Sequence, residues 1–214
     1  MQPTLSRFTT TTPNLDDVWN SLTQSEVGYD IDAWKAILTD QPHLLEESWQ
    51  WVDKNGNVAI HDKTQQPYPG LTLLGRTVRL VSDEHTCDLV DFILKTHPNP
   101  ERIINQLCSH PKDPCDKDAP LTALEWMLFA TVYDIDKLRD MEIMLNKIEY
   151  LIERAPLKLS QPNVFAQKWT EVDESLALIG NGRYSRPAIG AFLQQQCLLK
   201  ASPHLSQQRK QHRL

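Results

Sequence analysis

Apolar residues recur at helical spacing along most of the chain. Leu15, Val18, Trp19 and Leu22 make one stripe, behind Asn14 as a cap and with Asp16 and Asp17 in the first turn. Ile31, Trp34, Ile37 and Leu38 make a second. Its helix should stop before Pro42, because proline disfavours helical backbone in the residue before it. The pattern then changes. Trp49-Gln50-Trp51-Val52 and Asn57-Val58-Ala59-Ile60 alternate on either side of Asn55-Gly56. Alternation around Asn-Gly predicts a β-hairpin over 49–60. A polar loop follows, through Gln65, Gln66, Pro67 and Pro69.

Helical spacing resumes at Thr72, read as a cap, with Leu73, Leu74, Thr77, Val78 and Val81 on one face. A turn at 83–86 leads to a paired helix over 88–96. Ile103, Ile104 and Leu107 predict a short helix, and residues 109–119, with two prolines and alternating charges, a loop. The pattern restarts at Pro120-Leu121-Thr122-Ala123-Leu124, with Met127, Leu128 and Thr131 on the stripe. A long second helix carries Leu138, Met141, Leu145, Ile148, Leu151 and Ile152. A last pair is read over Ser175–Ile179 and Ala188–Leu193, turning at Asn181-Gly182-Arg183. Residues 1–13 read as a flexible arm, 14–200 as one helical repeat domain and 201–214 as a disordered basic tail.

Three second helices share one frame: Trp34–Leu38, Val90–Leu94 and Ile148–Ile152. Proline follows each at the same distance, at Pro42, Pro98 and Pro156, so the steps are 56 and 58 residues. A frame at nearly fixed distance is the signature of a repeat architecture. These pairs resemble ankyrin repeats. Thr72-Leu73-Leu74 and Thr122-Ala123-Leu124 are similar to that family's helix openings, and Asn181-Gly182-Arg183 to its turn. Leu89–Leu94 and Lys147–Ile152 are similar to its second helices. The steps exceed the family's repeat of about 33 residues, and Arg76, Trp126 and Met127 stand where small alanines are usual. The fold class expected is mostly α: stacked, ankyrin-like helix hairpins with one β-hairpin insert. The resemblance implies a protein–protein interaction module, similar to arrays in bacterial effectors or regulators that bind a target protein.

Composition narrows the field. The chain has 214 residues, 40% of them hydrophobic, only seven glycines and a net charge of −6. That balance argues for a globular protein, and against a nucleic-acid binder with its basic face. No apolar run is long enough for a membrane span, so no membrane insertion is expected. Residues 1–12 lack the pattern of a secretory signal. The expected location is the cytosol of the producing cell, with delivery to a host cell by a non-classical route left open. Four cysteines in such a chain read as reduced thiols.

Candidate chemistry is thin. Cys108, His110, Cys115 and His97 match no zinc-knuckle spacing. Cys87 lies near His85 but reads as the start of a helix, with its thiol packed inward. The residues from Gly180 to Arg186 hold two arginines that could form an anion nest, but no strand signal precedes them, so a repeat turn is preferred. Arg209, Lys210, His212 and Arg213 read as a solvated basic cluster. No catalytic residue, cofactor or metal ligand is therefore expected. The other reading is a small hydrolase or transferase using Cys87 or Cys108 with a histidine. Trp49 and Trp51 share a face of the hairpin, and core is preferred for it over an exposed anchor. The inserts at 49–69 and 109–119 precede first helices, where repeat arrays bind. Trp51, Asp53, Lys54 and Tyr68 are accordingly the residues expected to touch a protein partner. Oligomeric state is left open.

Overall fold

The computed structural model describes residues 4–6, 15–23, 31–80, 85–109, 120–133, 138–179 and 184–201. Among them the chain is mostly helical, with two small antiparallel sheets. In chain order come β1 (Thr4–Ser6), α1 (Leu15–Thr23) and α2 (Ile31–Asp40). A 3-10 turn (Pro42–Leu45), β2 (Ser48–Val52), β3 (Leu71–Thr72) and α3 (Leu73–Leu80) follow. Next are α4 (His85–Thr96), α5 (Pro100–Ile104), β4 (Leu107–Cys108) and β5 (Leu121–Thr122). The remainder is α6 (Ala123–Tyr133), α7 (Leu138–Arg154), α8 (Pro162–Ile179) and α9 (Pro187–Ala201).

Proline punctuates these elements for the reason expected of it. It lacks a backbone N–H, which the first helical turn does not need, and it clashes with a preceding helical turn. Thus α2 ends before Pro42, α4 before Pro98 and α7 before Pro156, while α5, α8 and α9 each open on proline. Threonine opens two of the others, α3 and α6. The Gly75 N–H donates to Thr72 Oγ1 at 3.0 Å and the Glu125 N–H to Thr122 Oγ1 at 3.2 Å. Glu125 Oε2 returns the bond to the Thr122 N–H at 3.0 Å, completing a capping box.

Helices adjacent in the chain pack in pairs: α1 with α2, α3 with α4, α6 with α7 and α8 with α9. Across these pairs α3 meets α6 and α6 meets α8, while α2 meets α4, α4 meets α7 and α7 meets α9. The core draws on both rows and on the hairpin and its base. Trp34 is buried edge-on to Phe92, with centroids 5.3 Å apart, and Leu73, Leu89, Ile93, Met127, Leu145 and Ile148 are fully enclosed.

Three sequence expectations need correction. Residues 4–6, read as part of a flexible arm, pair with β2 through Thr4↔Val52, Leu5↔Trp51 and Ser6↔Gln50. The short helix ends at Ile104, and Leu107 belongs to β4. The last pair begins at Pro162 rather than Ser175, because Phe165, Trp169 and Val172 already form a buried stripe. The turn at 181–183, most of the loop 109–119 and the tail beyond Ala201 lie outside the described residues.

Candidate functional site: a braced hairpin ahead of α3

Two excursions leave the helical rows, and each is closed at its base in the same way. Ser48↔Thr72 and Trp49↔Leu71 close the first, and Leu107↔Thr122 and Cys108↔Leu121 the second. In both, the returning Leu-Thr strand runs straight into a threonine-capped helix. The first excursion, residues 49–71, is described in full.

Its tip is a turn built by Asp53. The Asp53 N–H donates to Asn57 O at 2.8 Å, and the Gly56 N–H to Asp53 O at 3.1 Å. The Asp53 carboxylate accepts the N–H groups of Asn55 and Asn57 at 2.8 and 2.9 Å. Those bonds favour the charged form, so the Asn57 and Asn55 amides hold the Asp53 carboxyl below its ordinary value. Gly56 takes φ +83°, where a side chain would be strained.

The returning leg passes through Ala59, whose N–H donates to Trp51 O at 2.9 Å and whose carbonyl accepts the Tyr68 N–H at 3.0 Å. A second turn is organised by His61. Its Nδ1 accepts the N–H groups of Lys63 and Thr64 at 3.2 and 3.3 Å. Val52↔Val58 and Ile60↔Pro67 are cross-strand pairs. Side chains alternate faces in such a ribbon. Trp51, Ala59 and His61 are accordingly buried, and Val58, Ile60 and Pro67 are exposed opposite them, beside half-buried Val52.

The inner face is clamped to the helical body. Trp51 Nε1 donates to Ser109 O at 2.7 Å, and Ser109 Oγ donates to Pro69 O at 2.9 Å. Trp49 Nε1 donates to Asp16 Oδ1 at 2.8 Å. The Arg76 guanidinium lies 4.2 Å from the Trp19 ring and 4.5 Å from the Trp49 ring. Burial pulls the Arg76 pKa down, and Asp16 works against that fall. At Gly70 a Cβ would sit 2.7 Å from the Trp49 carbonyl oxygen, so only glycine lets this leg return so close to β2.

The four residues expected to touch a partner therefore divide. Trp51 is 3% exposed and corrects that expectation: its ring is core and its N–H is spent on Ser109. Tyr68 is half-buried on the inner side, its ring 5.1 Å from that of His61. The Asp53 carboxylate is committed to its own turn. Lys54 is exposed at the tip. What sequence reasoning missed is the outer strip, Val58 and Ile60, 42% and 46% exposed. Its signal was present in the alternation: with core preferred for the Trp49 and Trp51 face, which is buried, the opposite face is the exposed one.

The other candidates are structural. Cys108 is fully buried, and its Sγ lies 2.7 Å from where a Cβ on Gly75 would be. His110 and Cys115 fall outside the described residues. Cys87 is half-buried on α4, and His85 on the same helix has Nδ1 3.6 Å from Asp88 Oδ2. Arg186 ties the start of α9 to α7, with Nε 3.0 Å from Glu149 Oε2 and Nη2 3.0 Å from Asn146 Oδ1. Among the described residues no group of three His, Cys, Asp or Glu could hold a metal ion. Among the same residues no helix is long and apolar enough to cross a membrane. Compared with known protein families, characterised proteins and solved structures, the chain gives no significant match.

Proposed function

We propose that this protein is a non-enzymatic interaction module, built of ankyrin-like helix pairs stacked side by side, that binds and regulates another protein through its hairpin side. The stacking reading draws on the two rows of helices, the paired Leu-Thr openings and the matching ladders at the base of each excursion. Arrays of this kind present one long surface, formed by first helices and the loops before them.

The observation that carries the binding reading is the outer strip of the hairpin. Val58, Ile60 and Pro67 are apolar, exposed and on one face, while the opposite face is fixed by Trp51, Ser109 and Pro69. Rigid, exposed apolar groups associate at little ordering cost. Lys54 at the tip adds a charge for orientation. A thiol-dependent enzyme using Cys108 finds less support, since that side chain is fully buried, and half-buried Cys87 is the thiol left to that reading.

The test begins with a partner captured by the full chain. Val58→Asp with Ile60→Asp should weaken that complex by about 30-fold or more, the scale of a hot-spot loss. The melting temperature should hardly move, because exposed positions contribute little to stability. Unchanged affinity in a normally folded variant would place the interface elsewhere.

A further inference from the structure

The last described helix presents a face that the proposed function does not use. α9 packs against α7 and α8, with Ile189 and Leu193 buried and Gly190 against the Trp169 ring. Its far side is exposed. Pro187, Ala191, Gln194, Leu198 and Ala201 recur there at steps of four and three, the spacing of a helix–helix seam. Ala188, Gln195 and Leu199 flank that stripe and are exposed too. Leu198 is 68% and Leu199 64% exposed. The chain is 23% charged, yet Lys200 is the one charged residue among the exposed positions of α9, and its Nζ is turned back onto Ser160 O. Depletion of charge around exposed leucines marks an interface core rather than a solvated face.

The chemistry of this face selects its occupant. With no charge to repel its own kind, the face meets a second copy of itself without the penalty that like charges impose. Side-chain size grows along it, from Ala188 and Ala191 near the start to Leu198 near the end. A two-fold axis crossing at Gln194 and Gln195 runs the two helices antiparallel and sets each Leu198 over Ala191 of the other copy. Large meets small twice, as an isologous contact requires. A parallel pairing would instead set leucine against leucine and leave a gap between the alanines. At the axis the glutamine amides, donors and acceptors at once, can pair with their counterparts. α9 has 15 residues, or about 22 Å of helix. Its face therefore covers less than the roughly 800 Å² per partner of a standard interface, and such a dimer dissociates on dilution. We propose that the outer face of α9 is a self-association surface, joining two copies of this chain antiparallel about a two-fold axis.

Sedimentation velocity of the full chain from about 1 μM to 1 mM tests this, a range that spans weak to moderate association. The mass should rise with concentration from one chain towards two. Leu198→Glu should hold the protein as a monomer throughout, with an unchanged helical signal, because an exposed position contributes little to the fold. Adding Ala191→Lys should return the dimer, since the antiparallel register brings each new ammonium beside the other copy's new carboxylate. The mass of one chain over the whole range, in the unaltered protein, overturns the proposal. A dimer indifferent to Leu198→Glu overturns it too, by placing the contact on another surface. A double variant that stays monomeric rules out the antiparallel register, and the proposal with it.

Discussion

At the scale of single residues, polar side chains here do the work of positioning backbone. Asp53 is the example with a pH signature. Its folded carboxyl titrates below the ordinary value of 3.8, because the amides of Asn57 and Asn55 bond the charged form. A group with a depressed folded pKa contributes stability that is present above the ordinary value and is lost as pH falls through the folded one. The Asn57 amide resonance should therefore titrate with a midpoint below 3.8, and Asp53→Asn should remove that step. A midpoint at or above 3.8 would mean the turn is not held by this carboxylate. Facing of the hairpin was legible from its tryptophans, whereas the partner that fixes each side chain was not. Trp49 and Trp51 on one side and Val58 and Ile60 on the other are all good strand residues. The bulk of the tryptophans favours their side as core, and the clamp to Ser109, 58 positions away in the chain, holds it there.

Among elements, the openings of first helices were legible and the strands beside them were not. Thr72 and Thr122 announce themselves through spacing, but β3, β4 and β5 are two residues each, too short for alternation to register. β1 was unreadable for another reason: a polar, threonine-rich stretch becomes a strand only because β2 offers it an edge. The start of α8 was missed although Phe165, Trp169 and Val172 have helical spacing. Pro162 there opens a helix where a proline more often signals an end. Glu125 joins two of these elements. It is fully buried, its Oε2 closes the α6 capping box, and its Oε1 accepts the Ser160 N–H and, at 2.6 Å, the Ser160 hydroxyl. Glu125→Ala orphans the buried Thr122 N–H, worth about 1–3 kcal/mol, and removes two bonds to the exposed Ser160. Urea unfolding at an unchanged slope should accordingly show a loss of about 1–3 kcal/mol. A loss under about 0.5 kcal/mol, the range of ordinary surface changes, would show that Glu125 is not the link between α6 and the approach to α8.

For the molecule as a whole, the recurring frames at Trp34, Val90 and Ile148 each fall within a helix, α2, α4 and α7. Their nearly constant steps correspond to α2, α4 and α7 meeting in one row. The long steps have a physical origin. Each contains chain outside the helices that is closed by an antiparallel ladder, Ser48↔Thr72 with Trp49↔Leu71 in the first and Leu107↔Thr122 with Cys108↔Leu121 in the second. The central claim is that the outer face of the first excursion receives a partner protein. Site-specific photo-cross-linking measures this most directly, with the reactive group placed at Ile60 and, as the control, at exposed Glu153 at the end of α7. Efficient coupling of the partner from position 60 and little from position 153 is the result predicted. Coupling from 153 with none from 60, in proteins that melt alike, would contradict it.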